Sequence, residues 1–155
     1  MEKLFTFIKQ SRTAFIQLID GLSLEELNQI PAGYSNNIVW NFGHIVVSTQ
    51  TLCYVRTGVH ADATAVKFNE AYKKGTKPSY TVPAAELAEL KSLAISSIEQ
   101  IELDYKQGLF DHTEAFETAT YGALMQDFEE VLITTIGHDN LHFGYAAAQR
   151  KLIKQ

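Results

Sequence analysis

Apolar residues recur at helical spacing in four long segments of the chain. In residues 2–21 they fall on one stripe, which predicts an amphipathic helix. A segment over about 37–57 is apolar on more than one face, which is typical of a helix at the centre of a bundle. Two more helices are predicted over 83–108, where a proline opens and a glycine closes the pattern, and over 126–152.

The segments between these helices show no clear period. A Ser-x-x-Glu capping box at 23–26 predicts a short extra turn. Residues 58–82 and 109–124 read as long connections without a convincing strand pattern, although FNEAYKK in the first could form a helical turn. We therefore predict an all-α fold, a single four-helix-bundle domain over 1–155, whose long connections allow a topology other than simple up-down-up-down.

Composition narrows the class of protein. The chain is 46% hydrophobic and 20% charged, which is ordinary for a globular domain, and its net charge of −5 argues against a nucleic-acid-binding face. A single cysteine, Cys53, excludes an intrachain disulfide and is predicted to be a buried apolar filler that faces away from the histidines discussed below. The absence of a signal-peptide pattern and of an apolar run of about 18 residues predicts a cytoplasmic protein without a membrane partner.

The stretch IGHDNLHFGY places His138 and His142 four residues apart on the last predicted helix. At that spacing the two rings differ by about 40° in angle and about 6 Å in height, so they share a face. Such a pair can converge on one metal ion, as in H-E-x-x-H sites, although most pairs of this kind are surface or hydrogen-bonded core residues. A third ligand must come from another helix, and His44 on the second helix is the best candidate.

The other two histidines, His60 and His112, fall in predicted loops and are expected to be exposed. Three neutral histidines around a divalent ion leave a position for water or substrate, and they suit zinc, nickel or other late first-row metals. Asp139 stands where a zincin has its glutamate, but its side chain is one methylene shorter. We expect it first to form a surface salt bridge, then to contact a histidine N–H, and only third to act as a catalytic base.

Aromatic and glycine residues flank the histidines along both helices. Trp40 and Tyr145 lie one turn from His44 and His142, where they could wall a pocket, although core packing is the usual role of aromatics at helical spacing. Gly144 is expected to allow close approach of another helix or loop, and Gly43 to do the same beside His44.

Two motifs together resemble one family. NNIVWNFGHIVVS, followed much later by TYGALMQDFEEVLITTIGHDNLHFGY, is similar to the DinB-like superfamily, in which a Trp- and Gly-containing lead precedes one histidine and H-x-x-x-H-x-G ends the last helix. The resemblance covers nearly the whole chain. It implies a four-helix bundle, commonly dimeric, with a metal triad at His44, His138 and His142. Some members of the family resemble thiol-dependent transferases, and others metal-dependent hydrolases.

The leading interpretation is therefore a divalent-metal-binding protein, with zinc or nickel, that acts as an enzyme on small molecules, with a low-molecular-weight thiol as one expected substrate. Thiol transfer and hydrolysis both stay open. A homodimer is expected from the family and from apolar positions outside the core stripes, such as Phe5, Phe7 and Phe143. The alternative is a non-catalytic dimeric stress-response or binding protein with a vestigial metal site, since Asp139 is the only identifiable candidate base.

Overall fold

The computed structural model describes residues 1–154 and confirms the all-α prediction. Its long helices agree closely with the sequence pattern, and two short helices and a small antiparallel hairpin lie in the connections. The elements are α1 (Glu2–Asp20), α2 (Leu24–Asn28), α3 (Ile38–Gln50), a π-helical turn (Thr51–Val55), α4 (Asn69–Tyr72), α5 (Ala84–Lys106), β1 (Phe116–Glu117), β2 (Leu124–Met125) and α6 (Phe128–Ile153).

The four long helices form a bundle in which chain neighbours are not always spatial neighbours. Both α1 and α3 pack against α5 and α6, so α1 and α3 lie across a diagonal, as do α5 and α6. A diagonal neighbour cannot be reached by a tight turn, so residues 21–37 join α1 to α3 and residues 107–127 join α5 to α6, whereas the 58–82 connection joins the adjacent helices α3 and α5. The α3–α6 contact, which the site below uses, is the most extensive in the bundle.

Side-chain caps fix where the helices begin. The Asn37 side chain accepts a hydrogen bond from the Trp40 backbone N–H and opens α3, and Ser23 and Glu26 form the predicted capping box at α2. Asp127 caps α6 in the same way, by accepting from the backbone N–H of Glu130.

Two local features differ from the prediction. The second helix was expected to run unbroken to about residue 57, but it passes into the π-helical turn at Thr51–Val55. A single turn of π-helix is too short to produce a recognisable spacing of apolar residues in the sequence. The 109–124 connection was expected to hold no strand, and β1 begins within it; strands of two residues are too short to show an alternating pattern. Within residues 1–154, no helix is both long enough and apolar enough to cross a membrane.

Candidate metal centre

The packing of α3 against α6 brings the three predicted histidines together. His44 lies on α3, His138 and His142 lie on α6, and one ring nitrogen from each lies within 4.8 Å of the other two. Ring centroids are 4.6 Å apart for His44 and His142, and 4.7 Å apart for His138 and His142. Around a tetrahedral zinc, with Zn–N distances of about 2.0–2.1 Å, ligand nitrogens lie roughly 3.4 Å apart, so small side-chain rotations would bring the set to bonding distance.

His44 is held by the connection that follows the π-helical turn. Its Nδ1 lies 2.6 Å from the backbone carbonyl oxygen of Tyr72, so Nδ1 must carry the proton and donate. Nε2 is therefore unprotonated, and it accepts a hydrogen bond from the Ser48 hydroxyl at 3.2 Å, which a metal ion would have to displace. The Trp40 ring stacks on the imidazole at 4.7 Å between centroids, and Gly43 allows the Tyr72 ring so close that a Cβ there would lie 2.5 Å from it.

A chain of amides fixes the tautomer of His142. Gln149 Nε2 donates to the backbone oxygen of Asn36, which turns its Oε1 toward the Asn41 Nδ2 at 3.0 Å. The Asn41 Nδ2 also donates to the backbone oxygen of Asn37, so the Asn41 Oδ1 faces His142 Nδ1 at 2.8 Å and accepts its proton. His142 is thus left, like His44, with an unprotonated Nε2 available to a metal ion.

His138 has the least hydrogen bonding of the three. Its Nδ1 is buried and has no hydrogen-bond partner among residues 1–154. A buried ring nitrogen without a partner is costly, so it indicates a group that completes its bonding only with a ligand.

Burial keeps all three rings neutral. Desolvation lowers the pKa of His44. It lowers the pKa of His138 to about 4 and that of His142 to about 3, with further contributions from the neighbouring histidines. Neutral imidazoles with free lone pairs are the form that binds a divalent metal, so the site needs little deprotonation to accept one.

Directly behind the histidines, a buried arginine joins all four long helices. Arg12 of α1 is fully buried, and its Nε donates to the Asp139 carboxylate of α6 at 2.9 Å. Its other nitrogens donate to the backbone oxygens of Ala94 on α5 and Ile45 on α3, and to the Thr49 hydroxyl. Because Ile45 follows His44 and Asp139 follows His138, this cluster fixes the height of α3 against α6 at the level of the histidines.

The expected surface salt bridge of Asp139 is therefore wrong. Asp139 lies in the interior of the bundle, where it is 2% exposed and pairs with the fully buried Arg12. Burial raises the pKa of its carboxyl, and contact of the Arg12 guanidinium with both carboxylate oxygens opposes that rise. Asp139 does not line the cavity described next, and its role as a catalytic base stays a prediction.

The histidines lie on the wall of a cavity of about 460 Å³. The rest of the wall comes from α3, the π-helical turn, the connection around α4, the hairpin loop after β1, and α6. Besides the histidines, its polar groups are threonines, a serine, an asparagine, a tyrosine, lysines and an arginine, and no aspartate or glutamate of residues 1–154 lines it. A small molecule in this cavity would have direct access to the three rings.

Some of the remaining predictions about individual residues agree with the structure and others do not. Cys53 is buried and absent from the cavity wall, as expected, and His60 and His112 are exposed, as expected. Tyr145 is 47% exposed and does not wall the cavity. Trp40 supports His44 from behind without lining the cavity. Gly43 does allow a close approach, but the prediction for Gly144 is wrong, because no atom lies within 4 Å of a Cβ placed there.

A sequence model of the DinB superfamily matches residues 8–146, which include α3, most of α6 and all three histidines. The chain belongs to the DinB superfamily. A comparison with curated proteins gives no match. The DinB assignment agrees with the all-α bundle, and the three-histidine cluster is compatible with a metal site.

Proposed function

We propose that this DinB protein binds a divalent metal ion, zinc or nickel, through His44, His138 and His142, and acts as an enzyme on a small molecule in the adjoining cavity. The observation that supports this best is the hydrogen bonding of the three rings: two have an unprotonated Nε2 because Nδ1 donates to a defined acceptor, and the third has a buried nitrogen without a partner. This donor set fits a late first-row metal and leaves coordination positions toward the cavity.

A bound divalent ion would supply Lewis-acid chemistry there and lower the pKa of a bound thiol or water. Residues of the protein itself would orient the metal-binding imidazoles and contact the substrate. Asn41 and the Tyr72 carbonyl hold two imidazoles in the ligand tautomer, and the apolar side chains Val47, Leu52 and Leu141 give the cavity apolar contacts for the body of a substrate.

Of the two reaction classes, the cavity wall favours thiol transfer over hydrolysis. A hydrolase that activates water usually needs a nearby general base, and within residues 1–154 the cavity wall has no carboxylate. The candidate base of the sequence analysis, Asp139, has both carboxylate oxygens in contact with Arg12. A thiol needs less assistance, since its ordinary pKa of about 8.5 is already near neutral and a metal deprotonates it directly.

The alternative function is a non-catalytic binding protein with a vestigial site, and the missing base is the observation that favours it. Metal-dependent turnover separates the two. Purified protein would be mixed with a thiol and a chromogenic aryl halide, with zinc, with nickel and with chelator. Turnover above the uncatalysed rate that disappears with chelator supports the enzyme; no turnover in a fully metal-loaded protein supports the alternative.

Metal content tests the site separately from turnover. We expect one metal ion per chain in the wild type and loss of that ion in His44→Ala and His142→Ala. His60→Ala is the matched control, because His60 is an exposed histidine that stacks on Tyr54 away from the cavity. A wild-type protein that is folded, and that neither contains nor takes up metal, would contradict the proposal.

We also propose that the protein is cytoplasmic and forms a homodimer. Two of the three residues expected at the dimer interface are not exposed for such a contact, because Phe5 is buried and Phe143 packs against the core. Phe7 is 48% exposed and stays a candidate contact. Light scattering decides: a mass near twice 17.4 kDa supports the dimer, and a mass near 17.4 kDa contradicts it.

A further inference from the structure

The cavity extends well beyond the histidines, along one side of α3 and the π-helical turn. His44, Ser48, Thr51 and Arg56 line it in succession. Twelve residues separate His44 from Arg56, which corresponds to roughly 15–18 Å of helix axis. The cavity therefore reaches from the candidate metal centre to an arginine more than two helical turns away along the chain.

Arg56 is held in place but not neutralised. One of its terminal nitrogens donates to the backbone oxygen of Glu117 at 3.1 Å, and its guanidinium lies 4.7 Å from the centre of the Phe116 ring. No carboxylate of residues 1–154 lies within ion-pair distance of it. An arginine fixed by a carbonyl and an aromatic ring still has N–H groups free for a planar anion.

A second polar group in the same wall has no partner. Thr118 follows Glu117, lines the cavity and is 6% exposed, yet its hydroxyl makes no hydrogen bond within residues 1–154. A buried hydroxyl left without a partner costs stability, and a ligand oxygen would satisfy it.

The charges around the cavity all have the same sign. Lys73, Lys74 and Arg56 line it, and of these only Lys73 is paired, with the exposed Glu70. The chain as a whole carries a net charge of −5, so this positive wall is a local departure from the overall charge. All three side chains are exposed, and a cavity mouth lined by one sign of charge attracts ligands of the opposite sign.

We propose that the substrate is an elongated small molecule with a terminal anionic group, a carboxylate or a phosphate, which is bound by Arg56 and the Thr118 hydroxyl while its other end lies at the histidines. This inference rests on the proposed function for the reacting end of the substrate. The anion subsite itself depends only on Arg56 and Thr118.

The experiment measures binding rather than turnover. Calorimetric titration of zinc-loaded protein would compare straight-chain thiols of three, six and eleven carbons that end in a carboxylate with thiols of the same length that end in a hydroxyl, all below their micelle concentrations. We expect a long carboxylate to bind about tenfold more tightly than its matched alcohol, as for a charge-assisted hydrogen bond, and the shortest pair to show no difference. A long-chain alkyl phosphate in place of the carboxylate distinguishes the two anions.

Two variants test the assigned residues. Arg56→Gln should abolish the preference for the anion, and Arg150→Gln, a matched change at an exposed arginine on α6 away from the cavity, should keep it. Thr118→Val should also reduce the preference while leaving the melting temperature equal or higher, because the hydroxyl it removes has no partner in the free protein. A purely structural role for Thr118 would instead lower the melting temperature.

The same titration in metal-free protein, with alkyl carboxylates and alcohols that lack a thiol, separates the two proposals. A preference for the carboxylate that depends on Arg56 but not on metal supports the anion subsite even if the metal proposal fails. Equal binding of acid and alcohol at every length by wild-type protein, with or without zinc, would overturn the inference. A preference that survives in both Arg56→Gln and Thr118→Val would overturn it as well.

Discussion

The pair formed by Arg12 and Asp139 makes a strong prediction about stability. Asp139→Asn keeps the shape of the side chain but removes the charge opposite a fully buried guanidinium. Breaking a buried pair from one side costs about 3–5 kcal/mol, because the other charge stays buried without compensation. For a domain of this size that corresponds to a fall in melting temperature of roughly 10 °C.

Urea unfolding followed by circular dichroism measures the loss directly, in metal-free protein so that metal affinity does not contribute. The matched control is Asp20→Asn, which breaks an exposed ion pair with Lys91 and should cost at most about 1 kcal/mol. The double variant Arg12→Met, Asp139→Leu should recover most of the loss, because well-packed apolar side chains often replace a buried pair without cost. If Asp139→Asn costs no more than the control, the reasoning about this cluster is wrong.

Three further predictions concern the site and its surroundings. Gly43→Ala should lower metal affinity by about 10–100-fold, because the new Cβ would displace Tyr72 and with it the carbonyl that orients His44. Calorimetry measures this affinity, and the control Gly144→Ala should leave it unchanged, because the space around its Cβ is open. The free energy of unfolding of the metal-free protein should fall as the pH drops below about 6.5, by about 2 kcal/mol at pH 5 for each of His138 and His142. The unfolded chain takes up protons in this range, whereas the folded protein, in which the two pKa values are about 4 and about 3, does not. Urea midpoints that are the same at pH 6.5 and at pH 5 would contradict this. Cys53, whose pKa burial raises to about 12, should not react with an aromatic disulfide reagent near neutral pH until the protein is unfolded, and rapid reaction of the native protein would contradict its buried position.

The four long helices and the three histidines could be predicted from the sequence because both depend mainly on short-range spacing. Apolar periods located the four long helices, and His138 and His142 share a face by helix geometry alone. His44 could be selected because it lies on a helix, unlike the loop histidines. The topology also followed in part, since long connections permit diagonal neighbours.

What the sequence did not predict depends on contacts between distant segments. Arg12 interrupts the apolar stripe of α1 between Ile8 and Phe15, and that cation in a core position was a detectable signal. Its partner was not predictable, because it depends on the heights of α1 and α6, whose residues are 127 positions apart. The burial of Asp139 was missed for the same reason, because an aspartate next to His138 gives no sign that a buried arginine faces it.

The backbone hydrogen-bond partners of the site and the irregular turns could not be predicted from the sequence either. The acceptor for His44 is a main-chain carbonyl at Tyr72, and any residue type could supply it. The π-helical turn that leads α3 toward Arg56 has no sequence period of its own. Gly43 and Gly144 look alike in sequence, and only the position of the Tyr72 ring distinguishes them.

The central claim is that the three histidines hold one metal ion, and anomalous diffraction tests it most directly. Crystals of wild-type protein, grown with zinc or with nickel and measured on both sides of each absorption edge, would locate and identify the ion. We expect a single strong peak between the rings of His44, His138 and His142, on the side that faces the cavity. A folded, metal-saturated crystal with no peak there, or with the metal bound only at other residues, would contradict it.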